Sequence, residues 1–283
     1  MTSATFQSSA HLDQPMREPV AHQPNVIEIQ HLKKAFGTHE VLKDISLEVA
    51  QGETLAVLGR SGVGKSVLIK CIVALLEPDD GTILLFGKDT SKVSTKELAA
   101  MRHRIGFLFQ GGALYDSMSV RDNLAFPLRS LQEKPSPEEQ DELINTALSD
   151  VGLSEAIGKM PSELSGGMRK RVGLARTLIQ KPEIMLYDEP TTGLDPITSR
   201  EISGLLLGVQ ERYKTSSIII THDIECANIA ADRIALMNEG YVVAGGTYEE
   251  LERSDDEWVG SFFAWHADRT GAPAEAQTKD STR

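Results

Sequence analysis

Thr54–Pro78 reads TLAVLGRSGVGKSVLIKCIVALLEP, and the order of its parts decides the fold. TLAVL is a short apolar run that closes on Gly59, as a fully buried strand does. GRSGVGKS follows, and after it Leu68, Ile69, Ile72, Val73 and Leu76 fall at helical spacing, in a helix that Pro78 is expected to stop. Strand, glycine loop and helix together satisfy the spacing G-x-x-x-x-G-K-[ST] and the context it needs. Gly59, Gly62 and Gly64 let the backbone turn its N–H groups inward around phosphate oxygens, where a Cβ would obstruct. Arg60, Ser61 and Val63 complete that loop. Lys65 brings positive charge to the terminal phosphates, Ser66 offers a hydroxyl to Mg²⁺, and the helix N-terminus adds partial positive charge.

Outward from this loop, strand and helix patterns alternate. NVIEIQHLKKAF and EVLKDISLEVA alternate apolar and polar residues, as half-buried antiparallel strands do. RIGFLFQ, EIMLYDEP and SSIIITHD read as buried strands with polar ends. SPEEQDELINTALSDVGL opens with Ser136, Pro137 and Glu139 (a cap, a first-turn proline and a capping-box acid) and carries Leu143, Ile144, Ala147, Leu148 and Val151 as its apolar stripe. Strands with intervening helices imply an α/β fold, a mostly parallel sheet with helices on both faces. Residues 113–165 have no strand pattern and read as a helical subdomain.

A second set of residues gathers at strand ends. IMLYDE places Asp188 to hold Mg²⁺ and Glu189 to take a proton from an attacking water. Gln110 closes RIGFLFQ, within reach of metal and water, and His222 closes SIIITHD, where it can bond a γ-phosphate. Asp195 sits in the tight turn GLDP. Farther off, SELSGGMRKR makes Ser165, Gly166 and Gly167 the start of a helix whose stripe is Val172, Leu174, Ala175 and Leu178: a second anion-binding end. Arg169, Lys170, Arg171 and Arg176 read as its solvated face. The two loops lie on different parts of the fold, so one phosphate can use both only if two copies of the chain meet.

The 283 residues carry a net charge of -12, which argues against a nucleic-acid partner, since phosphate backbones reward clustered Lys and Arg. Cys71 and Cys226 show no metal or disulfide spacing and read as small buried hydrophobes in a reducing compartment. No run reaches the roughly 18 apolar residues of a membrane span, and the N-terminus lacks a signal-peptide pattern. The chain is therefore expected to be cytoplasmic and to reach a membrane only through a partner. Residues 1–25 and 267–283 are polar, turn-rich tails, expected to be disordered. A short helix is expected at 253–266, where Trp258, Val259, Phe262, Phe263 and Trp265 pack against the chain's own domain, with contact to a second ATPase subunit as the alternative.

The order GRSGVGKS, Gln110, LSGGM, IMLYDEP, GLDP, THD resembles the ATP-binding subunit of ABC transporters over about 26–252. The resemblance implies a P-loop fold with a RecA-like parallel-sheet core, an antiparallel β subdomain and a helical subdomain. It implies a head-to-tail dimer in which each ATP lies between one P-loop and the other copy's signature. On that pattern Phe36 stacks on adenine where the family more often has tyrosine. Lys65, Ser66, Gln110 and Asp188 handle phosphate and Mg²⁺, Glu189 is the general base, and His222 senses the γ-phosphate. Ser165 and Gly167 serve the partner's nucleotide, and Gly166 and Asp195 are further nucleotide-binding residues. FQGGALYDSMSVRDNLAFPLR, MPSELSGGMRKRVGLARTL and DEPTTGLDPITS are further similar to the ATPases of Mla/Mce-type systems, which move phospholipids or other hydrophobic molecules. That likeness implies membrane permease partners, an MCE-domain lipid-binding subunit, and a place on the inner face of the cell membrane. Amino-acid importers have similar stretches and stay as an alternative. A soluble ABC protein of DNA repair or translation is disfavoured by one P-loop, one signature and no heptad run, and a GTPase by the lack of an Asn-Lys-x-Asp segment.

Overall fold

The computed structural model describes residues 23–131 and 134–270; most of each expected tail lies outside them. The alternating segments fold as a long hairpin, β1 (Asn25–Phe36) and β2 (His39–Ala50), which leads into β3 (Thr54–Leu58) and α1 (Lys65–Ile72). Next come β4 (Asp80–Leu85), the short β5 (Lys88–Asp89), α2 (Thr95–His103) and β6 (Ile105–Leu108). Three helices follow, α3 (Val120–Leu128), α4 (Pro137–Asp150) and α5 (Gly166–Leu178). The chain then alternates through β7 (Ile184–Asp188), α6 (Pro196–Tyr213), β8 (Ser216–Thr221) and α7 (Ile224–Ala230). It finishes with β9 (Arg233–Asn238), β10 (Tyr241–Gly246), α8 (Tyr248–Glu252) and α9 (Glu257–Thr270).

The described strands join in the order β5-β4-β1-β2-β10-β9-β3-β8-β7-β6. One half, β9-β3-β8-β7-β6, is parallel; the other, β5-β4-β1-β2, is antiparallel. The two halves meet at β10, antiparallel to β9 and touching β2 at Tyr241 and Asp44. Sequence pattern foreshadows this division. β3 and β8 are buried at every residue, whereas β1 and β2 alternate.

The antiparallel half folds over α1. Ile27, Leu32, Leu42 and Ile45 share one buried cluster with Val57, Leu68, Ile72, Ile218 and Ile220. Because this packing involves α1, the mouth of the β3–α1 loop is fixed by both halves. A second cluster joins Leu124, Ile144 and Leu148 of α3 and α4 to Leu174 and Leu178 of α5 and Met185 of β7. The capping box of α4 forms as its sequence foretells, with Ser136 and Glu139 each bonding the other's backbone amide.

Several boundaries differ from expectation. α1 stops at Ile72 rather than at Pro78, because Ala74 turns into the left-handed region (φ 52°) and Leu75 and Leu76 donate back to the Lys70 carbonyl. Arg102 then satisfies the carbonyls of Val73 and Ala74 from α2. β6 ends at Leu108, so Gln110 stands two residues past the strand. β1 begins at Asn25, inside the expected tail, and α9 runs over Glu257–Thr270 rather than 253–266. On α9, Val259 and Phe263 are buried against Ala56, Ile234 and Leu251, with Trp258 and Phe262 packed beside them. The helix thus rests on its own domain; the side chain of Trp265 is outside the described residues.

Candidate functional site

The site forms where the parallel strands end. β3 delivers Gly59 to a loop whose rim residues Arg60, Ser61, Gly62 and Ser66 are exposed, while Gly59, Gly64 and Lys65 are buried at its base and Val63 is half-buried. Gly64 is required here twice over. Its φ is +104°, and a Cβ would stand 2.8 Å from Leu42 Cδ2 and 3.0 Å from Val41 Cγ1. The atoms in the way belong to β2, so this glycine seats the loop on the antiparallel half as much as it opens space for a ligand.

Helices α2 to α8 each begin with a side-chain cap; α1 has none, and no acidic residue occupies its first turn. Its first amides are therefore left to an anion, and the donor set suits a nucleotide's phosphates. Lys65 reaches back across the loop. Its ammonium donates to the Gly59 and Arg60 carbonyls (2.6 and 3.1 Å) and lies 3.7 Å from Glu189 Oε1. Burial pulls its pKa down, against the pull of the carboxylates of Glu189 and Asp188.

Asp188 is the last residue of β7, and its Oδ1 accepts from Ser66 Oγ at 3.3 Å. Burial raises the Asp188 pKa, and the Ser66 hydrogen bond opposes the rise. A hydroxyl beside a single carboxylate is an oxygen-only donor pair, which fits Mg²⁺ completed by phosphate and water. No group of three or more His, Cys, Asp or Glu among the described residues could hold a metal by itself.

Glu189 follows in the left-handed region (φ 51°), a strained conformation for a residue with a side chain. Its amide donates to the Ile220 carbonyl at 2.8 Å. Its Oε2 accepts from Thr192 Oγ1 at 2.9 Å and from His222 Nδ1 at 2.8 Å, which assigns the imidazole proton to that nitrogen. One carboxylate oxygen is thus pinned, and the other faces Lys65. The arrangement can bind phosphate, hold a hard cation through oxygen, and accept a proton from water.

Residues 42–192, more than half of the chain, match the family model described as ABC transporter. The chain belongs to the ABC transporter ATPases. Among its relatives, the probable ribonucleotide transport ATP-binding protein mkl of Mycobacterium leprae is 39% identical over 90% of this chain and 73% of that protein. The intermembrane phospholipid transport system ATP-binding protein MlaF of Haemophilus influenzae is 37% identical over 90% of this chain and 98% of its own. The methionine import ATP-binding protein MetN 1 of Listeria innocua is 41% identical over 80% of this chain and 68% of its own. A solved ATP-binding cassette, dimeric after hydrolysis with ADP and Pi bound, superposes with a TM-score of 0.71 at 29% identity, over 78% of this chain and 98% of that one. The chain is thus an ATP-binding, ATP-hydrolysing subunit of an ABC transporter.

Within this ABC ATPase, the fold brings together Lys65, Ser66, Asp188, Glu189 and His222. Phe36 is 48% exposed at the end of β1, with Lys34 Nζ 5.7 Å from its ring centroid. Gln110 is exposed beyond β6. Ser165–Gly167 lie elsewhere, at the start of α5, where Cβ atoms on Gly166 and Gly167 would meet Leu194, just before α6, and Thr198 in its first turn. Ser165 caps α5 by accepting from the Met168 amide. Asp195 caps α6, accepting from the amides of Ile197 and Thr198 and from the Thr198 hydroxyl. No described contact joins either residue to the P-loop of its own chain.

The expectation of a solvated basic face on α5 holds for Arg169, which is exposed, and is corrected for Lys170, Arg171 and Arg176. Lys170 is 6% exposed and donates to the carbonyls of Glu189, Pro190 and Thr192. Arg176 donates to the carbonyls of Gly112 and Ala113, and Arg171 pairs with Glu201. Position contained the signal: Lys170 stands three residues after Gly167 and four before Leu174, on the buried face. Thr192 was likewise missed, and only its bond to Glu189 reveals it.

Gly64→Ala should weaken ATP binding by roughly 10- to 100-fold, the equivalent of about 1–3 kcal/mol of backbone strain released into the loop. Titration of the variant with a fluorescent ATP analogue checks this; an unchanged Kd would separate loop geometry from binding.

Proposed function

We propose that this ABC ATPase powers the movement of phospholipid or another hydrophobic cargo through a membrane permease. The observation that carries this reading is the likeness to the phospholipid transport ATPase, which runs through 98% of that relative's length. Import of a polar solute such as an amino acid is the second reading, favoured by the 41% identity with the methionine import ATPase.

The proposed chemistry uses the cluster described above. Lys65 and the loop amides bind the phosphates, and Ser66, Asp188 and Gln110 hold Mg²⁺, which when bound neutralises phosphate charge. Phe36 stacks on adenine. Glu189 accepts the proton of the attacking water, and His222 orients Glu189 while facing the γ-phosphate. Ser165, Gly166, Gly167 and Asp195 act on the nucleotide of a second copy in a head-to-tail dimer. Two observations support that geometry: the signature lies apart from its own P-loop, and the related cassette with ADP and Pi is dimeric. The permease is proposed to dock beyond Gln110. There the rings of Tyr115 (45% exposed) and Phe126 (39% exposed) meet at 4.9 Å between centroids, tilted by 54°, with Arg176 over Tyr115. Among the described residues no helix is long and apolar enough to cross a membrane, so membrane association on the cytoplasmic face is assigned to that permease. An MCE-domain lipid-binding protein is the expected third component.

Isolation of the full-length chain with its membrane partners, followed by mass spectrometry, tests the cargo. A permease together with an MCE-domain protein, and ATP-dependent transfer of labelled phospholipid between vesicles, are the expected results. A periplasmic amino-acid receptor in the complex would overturn the lipid reading in favour of the second.

A further inference from the structure

α5 grips a loop on either side of the site. At its far end Arg176 holds the carbonyls of Gly112 and Ala113, just past Gln110. One and a half turns from Ser165, Lys170 plunges inward instead of toward solvent. Its three N–H groups meet three backbone carbonyls: Glu189 at 3.2 Å, Pro190 at 2.8 Å and Thr192 at 2.8 Å. Those carbonyls belong to the turn that sets Glu189 in its left-handed conformation and returns Thr192 Oγ1 to the Glu189 carboxylate. Other bonds on the turn are the Glu189 amide on Ile220, the Thr192 amide on the Glu189 carbonyl, the Leu194 amide and Ser199 Oγ on the Thr191 carbonyl, and Thr191 Oγ1 donating to Asp223.

A buried ammonium is costly unless its bonds are made. Burial lowers the Lys170 pKa to about 8, opposed by the nearby Glu189 carboxylate. Three acceptors match the three donors of the charged form, and they match neither a neutral amine nor a methionine. A residue wanted only for packing on α5 would be Leu or Met, like its stripe neighbours. The expense of a cation is explained by what it fixes, the strained backbone beneath a carboxylate.

We propose that Lys170 is a positioning residue for ATP hydrolysis, an ammonium carried by the signature helix that clamps the 189–192 turn and so aims Glu189 at the attacking water. The proposal rests on Glu189 acting as general base. Through it the helix whose first residue caps at Ser165 is tied rigidly to the hydrolytic carboxylate of the same chain.

Steady-state ATPase assays of the full-length chain test this. Lys170→Met keeps the stem and removes all three donors. Its kcat should fall by about 10- to 100-fold, the scale on which displacement of a reacting group by about an ångström slows a reaction. Its KM for ATP should stay within about twofold, because the turn binds no substrate in the ground state. Lys170→Gln, with two neutral donors, should recover most of the loss and run about three- to tenfold slower than wild type. If Lys170→Met fails to fold, Lys170→Gln carries the test, and a wild-type kcat in it overturns the proposal. In a Glu189→Gln background, Lys170→Met should cost less than about twofold more, since both changes remove one function. An additive loss there, or a fall in ATP affinity matching the fall in rate, would make Lys170 merely structural and end the proposal. Full turnover in Glu189→Gln alone would instead remove the general base, a failure distinct from that of Lys170.

Discussion

Glu189→Gln is expected to lower steady-state ATP turnover by about 10²–10⁴-fold, the usual worth of a positioned general base. The amide is isosteric with the carboxylate and can still accept from Thr192 and His222, so the surroundings of Oε2 survive the change. It cannot accept the proton of water at neutral pH. ATP affinity should hold or rise, because the substitution deletes a negative charge 3.7 Å from the Lys65 ammonium, which then faces phosphate alone. The fold should be unmoved, since Gln at φ 51° carries the same backbone strain as Glu. Turnover by a coupled phosphate-release assay, alongside nucleotide titration, checks both halves. A rate within about threefold of wild type would take proton abstraction away from Glu189, whatever the affinity.

The same residue shows where sequence stops being legible. IMLYDE announces a buried strand with acids at its end, because a run of apolar residues that finishes in carboxylates has one sensible placement at the edge of a parallel sheet. That Glu189 turns left-handed is invisible in the string. The conformation is imposed by Ile220 from the next strand and by Lys170, nineteen positions earlier. The caps behave in the same way. Ser136 and Glu139 are three residues apart, so their reciprocal bonds can be read from local spacing, and they form. Asp195 looked like a site residue in a tight turn, yet its carboxylate is occupied in starting α6. Any role toward a nucleotide in a second copy must be played from that capping position. The early end of α1 is a third case. Pro78 is a sound local stop, but Arg102 from α2 and the turn at Ala74 end the helix six residues sooner. Short-range chemistry was legible; contacts between distant segments had to be seen.

Ser165→Arg is expected to slow hydrolysis by on the order of 10²–10³-fold, as removal of one donor to a developing negative charge does elsewhere, while ATP binding by the single chain stays intact. Within one chain Ser165 is exposed; its hydroxyl accepts from the Met168 amide and its carbonyl from the Arg169 amide, so no described bond links it to the P-loop beside Lys65. If the serine acts, it acts on a phosphate that another copy holds. Loss of the cap costs α5 about 1 kcal/mol, too little to unfold a helix that buries Val172, Leu174, Ala175 and Leu178. Steric bulk at the site is then the dominant effect of the arginine. The two-copy geometry also makes a sharper forecast. A chain with Ser165→Arg keeps a working P-loop, and a chain with Lys65→Ala keeps a working signature. Each is inactive with its own kind, but a mixed head-to-tail dimer contains one complete site. Random pairing of equal amounts should therefore restore roughly a quarter of wild-type turnover when sites act independently, since half the dimers are mixed and each has one site of two. Hydrolysis unchanged by Ser165→Arg, or ATP affinity lost by the isolated chain, would place the signature serine at its own nucleotide or at none, and the shared site would fail with it.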